Sequence, residues 1–333
     1  MAKVQSPTGQ PLITGLVVKA QSGFFDVETP QGLIRSRVRG ILHRKRHNTD
    51  PVAIGDTAIL SLAEIKEKDT VTVQGVIEGI EPRKRAFTRQ ATSPGGRTSR
   101  DQIDREQVII ANPDQIVFVF ACAEPRPTFR MTDRFLVIAE HARIPILIVA
   151  NKVDLIEHDD QEEVREVFGL YSDMGYPVIF TSVVTHTGIK KLKAALAGKI
   201  SALTGPSGVG KSSLLNAIQP GLGLAVKTVS QATGEGRHTT VSSELFPLLG
   251  GGYVADTPGV RSIGLFNIEP SEIDGYFPDI RTYIPHCRFK DCHHVDEPGC
   301  AVIAAVEVGD IFFDRYDSYL RLREEAAEIF YRC

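Results

Sequence analysis

The sequence predicts a multi-domain chain: an N-terminal all-β, OB-like barrel, a central α/β domain on a parallel sheet, and a small C-terminal Cys/His domain with a helix. Three observations predict it. From residue 12 to about 81, short β-rich stretches follow one another at close spacing. From about residue 107, apolar runs alternate with segments of helical period, as in a sheet covered on both faces. After residue 267, Cys and His crowd into "CRFKDCHHVDEPGC", ahead of a last helical stretch. The expected limits are 1–88 for the barrel, 89–106 for a basic linker, 107–266 for the α/β domain and 267–333 for the Cys/His domain and helix.

The barrel comes first. "ITGLVVKA", "GFFDVET", "GLIRSRVRG", "DTAILSL" and "TVTVQGVIEGI" are separated by Gly, Pro, Asp and Asn. Five strands of this length suit an OB-like barrel. Such barrels often bind nucleic acid, but fold alone does not fix function. "EPRKRAFTRQATSPGGRTSR" follows, and residues 83–105 hold seven Lys/Arg and two Asp. This reads as a linker or loop that can rest against phosphates. The α/β part then opens with the buried strand "DQIVFVFACA". "MTDRFLVIAEHAR" is helical, with Phe135, Leu136, Ile138 and Ala139 on one side. "IPILIVA" and "YPVIFTS" are strands around the helix "DQEEVREVFGLYSDMG", and the helix "GIKKLKAALAG" follows. "ISALTG" is a strand that leads into a Gly-rich loop and the helix "KSSLLNAI". "VSSELFPL" and "GGYVADTPG" read as strands, and "GDIFFDRYDSYLRLREEAAEIF" as the terminal helix.

The 333 residues are 42% hydrophobic and 24% charged, an ordinary globular balance. No run of 18 apolar residues and no signal-like start occurs, so a cytoplasmic protein without a membrane partner is expected. In a reducing compartment the five cysteines are thiols or metal ligands rather than disulfides. Residues 1–106 hold 17 Lys+Arg against 12 Asp+Glu, while residues 107–333 hold 21 against 29. A basic first part suggests a polyanion partner; a solvated surface is the plain alternative.

Gly205, Pro206, Ser207, Gly208, Val209, Gly210, Lys211 and Ser212 match G-x-x-x-x-G-K-[ST] between a strand and a helix. In that setting backbone N–H groups wrap phosphate oxygens, Lys211 reaches the β- and γ-phosphates, and Ser212 binds Mg²⁺. "DTPG" ends a later strand, where Asp256 can hold a Mg²⁺ water and Gly259 can offer an N–H to the γ-phosphate. Between them lies "GEGRHTT", in which Thr239 or Thr240 can complete the Mg²⁺ shell. Val260 stands where many GTPases carry a water-orienting Gln. Slow intrinsic hydrolysis is therefore expected, with His238 as the candidate substitute.

"NKVD", residues 151–154, follows the apolar strand "IPILIVA". An Asp there accepts two hydrogen bonds from guanine N1–H and its amino group, which adenine cannot supply. A buried Asp154 would read the base and discriminate strongly, Asn151 brace the loop, and the Lys152 stem lie across the ring. A loop at Ser182, after the next strand, can donate a backbone N–H to guanine O6. The phosphate loop begins 54 positions after Asn151, whereas ordinary GTPases have it first. The order reads as a circular permutation, which keeps a site intact when domain termini lie close together.

The C-terminal cluster reads C-x₄-C-x-H-x₅-C, with Cys287, Cys292, His294 and Cys300. Three thiolates and an imidazole make a closed, structural zinc site. On spacing alone His286 and His293 are rival imidazoles. Cys122 and Cys333 are expected to be plain thiols.

Together these motifs resemble one family, the circularly permuted, small-subunit-dependent GTPases called RsgA. The resemblance runs over nearly the whole chain: the barrel, "NKVD", "GPSGVGKSS", "GRHTT", "DTPG", "CRFKDCHHVDEPGCAV" and "RYDSYLRL". It implies a central P-loop GTPase domain and a zinc-binding C-terminal domain. Asn151, Lys152, Val153 and Asp154 would line the guanine, and Gly205 to Ser213 the phosphates and Mg²⁺. His238 would be the catalytic group, and His294 the zinc imidazole. The resemblance also implies GTP and GDP as ligands and the 30S ribosomal subunit with its 16S rRNA as partner. It implies slow hydrolysis stimulated by the subunit, and help in releasing an assembly factor late in 30S maturation. One structural Zn²⁺ per chain, Mg²⁺ with GTP, no DNA partner and a monomeric state complete the expectation. Two rivals of other classes are an RNA-binding barrel and zinc module with a purely structural nucleotide, and an ATPase or nucleotide kinase. Intact Lys211, Ser212 and Asp256 disfavour the first, and Asp154 the second.

Overall fold

The computed structural model describes residues 11–39, 50–67, 70–90, 106–124, 128–156, 161–222, 243–256, 265 and 267–332. The chain forms two compact units, and neither is a continuous stretch. The first comprises residues up to Asp114 with Ala194–Leu203 and Gln219–Pro258; the second holds the rest. These units do not coincide with the domain limits expected from sequence. Among the described residues no helix is long and apolar enough to cross a membrane.

In the first unit, β1 (Ile13–Gln21), β2 (Phe24–Thr29), β3 (Gly32–Val38), β4 (Thr57–Glu67) and β5 (Thr70–Ile80) form the five-stranded OB-like barrel. β1, β2 and β3 run as an antiparallel meander. β5 pairs with β3 in parallel and with β4 antiparallel, and β4 closes back onto β1. Alternation sends Val17, Val27, Leu60 and Ile77 inward, where they are fully buried. A register shift between Val17 and Lys19 bends β1, as an extra residue does in an antiparallel ladder. The first half of β1 pairs with β4. Its last residues pair with β12 (Ser243–Pro247), Lys19 opposite Glu244. β12 turns antiparallel into β13 (Tyr253–Asp256), which lies parallel to β11 (Ile200–Thr204). Strands expected for the α/β part thus continue the hydrogen bonding of the barrel. The strand periodicity of each segment holds no record of which edge it joins.

The segment expected to be a linker begins and ends in strands. β6 (Ala86–Gln90) pairs antiparallel with β7 (Glu106–Ala111), burying Phe87 and Ile110. Residues 91–105 lie outside the described part. Arg83, one of the seven basic residues, is not available to phosphates. Its guanidinium donates to both oxygens of fully buried Asp56, at 2.8 and 2.7 Å. A buried carboxylate without such a partner would be costly.

In the second unit, β8 (Gln115–Ala121), β9 (Ile146–Asn151) and β10 (Val178–Thr181) lie parallel in the order β10–β9–β8. β8 and β9 are buried at every residue, which is why they read as continuous apolar runs. Helices α1 (Phe129–His141), α2 (Gln161–Asp173), α3 (Ile189–Leu196, whose last residues fall in the first unit) and α4 (Lys211–Ile218) follow the strands. Thr128 caps α1, its hydroxyl accepting from the Met131 N–H, and Phe135, Leu136, Ile138 and Ala139 are buried as their spacing predicts. The C-terminal part adds α5 (Pro278–Arg281), α6 (Ala301–Val308) and the 20-residue α7 (Phe313–Arg332).

A buried ion cluster joins α1 to α7. Arg315 of α7 is 1% exposed and donates to Asp279 at 3.0 and 2.8 Å and to fully buried Asp133 of α1. Tyr171 adds a hydrogen bond to Asp133 at 2.8 Å, and the Phe277 ring lies 4.6 Å from the guanidinium carbon. Two carboxylates share one cation in a dry place. Burial pushes the Asp133 carboxyl up to about 6, although the Arg315 charge opposes the rise.

Candidate functional site

Both halves of the expected nucleotide site lie in the second unit. β9 ends at Asn151, which is 2% exposed. Its amide Nδ2 donates to the Val209 carbonyl in the Gly-rich loop at 2.8 Å. Its Oδ1 accepts from the Thr181 hydroxyl at the end of β10, at 2.9 Å. One side chain thus ties the end of β9 to the Gly-rich loop, 58 positions later in the chain, and Thr181 fixes which way its amide faces. Asn151 therefore braces the loop. Thr181 is a residue that the sequence did not single out. Its only signal was a hydroxyl at a strand end.

Two glycines make this approach possible. Gly210 has φ +94°, and a Cβ there would stand 2.6 Å from Asn151 Nδ2. Gly205 has φ +148°, and a Cβ there would stand 2.2 Å from the Val119 carbonyl of β8. Any side chain at either position would push the loop off its supports. Val209 is buried, and Leu214, Leu215 and Ile218 anchor α4 beneath the loop. Lys211 Nζ donates to the Gly205 and Pro206 carbonyls at 2.9 Å each, which holds the ammonium inside the loop. Ser212 and Ser213 are half-buried in the first turn of α4, where N–H groups without helical partners favour an anion.

Past Asn151, Lys152 takes a left-handed conformation, φ 63°, and a 3-10 turn covers Val153–Leu155. Lys152 Nζ donates to the Glu124 carbonyl at 2.6 Å, which pins its stem beside the turn. Asp154 is exposed rather than buried as expected, so a base bound there would itself have to supply the burial that sharpens selection. Beside it, burial pushes the Cys122 thiol up to about 12, and the Asp154 charge adds to the rise. Cys122 stays a neutral thiol. Ser182 departs from expectation. Its N–H donates to Thr187 O at 3.0 Å, and its hydroxyl accepts from the Thr185 N–H at 3.1 Å. A donor to the base from this loop must be another N–H. His238, Thr239, Thr240, Gly259 and Val260 lie outside the described residues, as does the side chain of Asp256, whose backbone ends β13.

The Cys/His group is compact. The ligand atoms of Cys287, Cys292, His294 and Cys300 lie within 4.8 Å of one another. His294 Nδ1 is 3.5 Å from Cys287 Sγ and 3.3 Å from Cys300 Sγ, and those two sulfurs are 4.0 Å apart. A tetrahedral Zn²⁺ with ordinary bond lengths gives edges of about 3.5 Å for N···S and about 3.8 Å for S···S, so the set fits that ion. His286 and His293 are exposed and outside the cluster, which decides between the imidazoles. The outer His294 nitrogen, Nε2, faces Asp274 at 3.2 Å, the usual carboxylate support for a metal-bound imidazole. Asp274 lies 20 positions before His294 and carries no sequence signal. The loop is held from two sides. Glu297 accepts N–H bonds from His293, Val295 and Asp296, which bring its carboxyl down to about 2 against the opposing effect of burial. Tyr316 and Tyr319 of α7 donate to the His294 and His293 carbonyls at 2.6 and 2.7 Å.

The sequence matches the family described as RsgA GTPase over residues 80–266, and the one described as RsgA N-terminal domain over residues 14–68. It is 43% identical over 313 residues to the small ribosomal subunit biogenesis GTPase RsgA of Gemmatimonas aurantiaca, covering 94% of this chain and 97% of that protein. The protein of the same name from Chlorobaculum tepidum is 38% identical over 317 residues, 95% of this chain and 99% of its own. Among solved structures, YjeQ from Thermotoga maritima is similar with a TM-score of 0.74 and 36% identity, over 95% of this chain and 99% of that one. YloQ, described as a circularly permuted GTPase, is similar with a TM-score of 0.69 and 31% identity, over 98% of each chain.

Proposed function

The chain belongs to the RsgA family of circularly permuted GTPases and hydrolyses GTP, and from that premise we propose that it works in the cytoplasm on the 30S ribosomal subunit. There it assists late maturation, turning over GTP slowly alone and faster on the subunit, and helps an assembly factor to leave. The observation that carries the reading is the Asn151 strut to Val209. It joins a base-reading turn to a phosphate loop in an order that only a permuted GTPase uses.

The residues divide the work as follows. Asp154 accepts from guanine N1–H and its amino group, with Lys152 and Val153 forming the turn and Asn151 bracing it. The loop after Ser182 closes the other edge of the base. Backbone N–H groups from Gly205 to Ser213 wrap the phosphates, and Lys211 turns its ammonium onto the β- and γ-phosphates. Ser212, Asp256 and Thr240 would hold Mg²⁺, which neutralises phosphate charge when it is bound. Thr239 and Gly259 would serve the γ-phosphate, and His238 would orient the attacking water in place of the Gln that many GTPases carry where Val260 stands. Cys287, Cys292, His294 and Cys300 hold one structural Zn²⁺. The basic barrel approaches 16S rRNA. GTP and GDP are the nucleotides, and the working form is a monomer with no membrane or DNA partner.

Steady-state GTP turnover with and without purified small subunits tests this, using wild type and His238→Ala. Stimulation of wild type, with the stimulated rate down at least tenfold in the variant, is expected, since positioned proton-transfer groups contribute roughly 10²–10⁴-fold. Turnover indifferent to the subunits would sink the ribosomal reading. Equal stimulated rates in the two proteins would remove His238 from its role.

A further inference from the structure

The barrel carries a group that neither the nucleotide site nor the metal site uses. On β2, Phe24, Asp26 and Glu28 face outward; on β3, Leu33, Arg35 and Arg37 do. Phe24 lies directly across from Arg37, whose guanidinium carbon is 4.3 Å from the centroid of the ring. Arg35 approaches the same ring to 4.7 Å. Other charges near this side of the barrel, Asp26 apart, are committed. Lys19 is paired with Glu244, Arg39 with Glu78, and Glu28 accepts from the Tyr253 hydroxyl. Arg35 and Arg37 are exposed and form no ion pair with any described residue, Asp26 across from Arg35 included. Two guanidiniums with no ion-pair partner among the described residues therefore lie over one half-buried aromatic ring.

An apolar protein partner has no use for two cations, and a bare anion has none for the ring. An unpaired nucleotide uses both. Its base has a π-face for the ring, and its phosphates suit the planar donor forks of arginine. A duplex offers its phosphates but keeps its bases stacked inside. The outer face of the second and third strands is also where OB barrels present themselves to oligonucleotides.

We propose that Phe24, Arg35 and Arg37 form a stacking platform for an unpaired RNA nucleotide. The choice of RNA rests on the reading that the chain works on the small ribosomal subunit.

The test is fluorescence anisotropy of the full-length, zinc-loaded protein with a short labelled single-stranded RNA and with the matching RNA duplex, over a salt series. Phe24→Ala is expected to weaken the single strand about tenfold, the size of one lost base stack, with the duplex unaffected. Phe24→Trp should keep the affinity, which separates stacking from mere support of the barrel. Arg35→Gln with Arg37→Gln should lower the slope of log K against log salt for the single strand by about 1.4, the share of two phosphate contacts. Phe24→Ala with single-strand affinity within twofold of wild type overturns the platform. So does equal weakening on single strand and duplex, a lower melting temperature with unchanged affinity, or no single-strand binding by wild type. Stimulation of GTP turnover by small subunits is read separately. If wild type is stimulated while the variants bind RNA normally, the platform alone fails; if wild type is not stimulated, the functional reading fails.

Discussion

Replacing Arg315 by Met should loosen the C-terminal helix far more than replacing its partner Asp133 by Asn. In the native cluster one guanidinium serves two carboxylates, and both Arg315 and Asp133 are out of water. Arg315→Met removes the cation but keeps most of the volume, leaving two carboxylates without a counter-charge. Breaking a buried pair in this way costs about 3–5 kcal/mol. Asp133→Asn keeps an oxygen that accepts from Arg315 and Tyr171 and leaves Arg315 balanced by Asp279. It also removes a carboxyl whose pKa stands at about 6. Ionising such a group near pH 7 costs ~3 kcal/mol relative to one near its ordinary value. The net change in Asp133→Asn should therefore stay within about 1 kcal/mol. Amide hydrogen exchange across residues 313–332 reads the difference. In Arg315→Met exchange should accelerate by roughly two to four powers of ten, and in Asp133→Asn it should barely change. The sign of the pH effect follows. The folded chain binds a proton at Asp133 more readily than the unfolded chain, so the penalty is complete above about pH 6 and is relieved as pH falls from 6 towards 4. The deficit of Arg315→Met should narrow over the same window or above it, because loss of the cation raises Asp133 further. Equal protection in the two variants, or a deficit that widens on acidification, would refute the charge argument.

Three further outcomes follow from the two sites. Asp154→Asn should lower GTP affinity by about 100-fold, the loss of hydrogen bonds to a charged acceptor, in titrations with a fluorescent GTP analogue; unchanged affinity would move base recognition elsewhere. Thr181→Val frees the Asn151 amide from its orienting partner and should weaken GTP about fivefold, close to one net hydrogen bond, with little change in melting temperature. A fall in melting temperature without loss of affinity would make Thr181 merely structural. Cys292→Ser should abolish retention of one zinc per chain by elemental analysis and raise exchange in the first half of α7, since Tyr316 and Tyr319 are bonded to the ligand loop; full zinc retention would contradict the ligand set.

The segments that repeat a strong period were readable from sequence. β8 and β9 announce themselves as continuous apolar runs, and the buried stripe of α1 follows its 3.6-residue spacing. The Gly-rich loop was readable too, because Gly205 and Gly210 stand where no other residue fits. What escaped were contacts between distant segments. Nothing local to Asp274 marks it as the support of His294, and nothing in "VIFTS" marks Thr181 rather than Ser182 as the partner of Asn151. Ser182 looked free because a sequence does not show that its N–H closes its own loop on Thr187. Arg83 looked like one more basic linker residue, and only the fold brings buried Asp56 beneath it. A hydrophobic pattern says which face is inside. It is silent on which polar groups meet there.

The way β1 divides its hydrogen bonds sets a limit on how this protein can be dissected. Its first half closes the barrel on β4, and its last residues supply the ladder for β12. Removing the barrel would leave β12 with an unpaired edge, and with a Glu244 that has lost Lys19. Naked edges of this kind recruit other chains. A truncated enzyme lacking the first 88 residues should therefore tend to aggregate, whatever its nucleotide site retains. The N-terminal barrel thus also shields the edge of a strand that lies more than 150 positions beyond it in the chain.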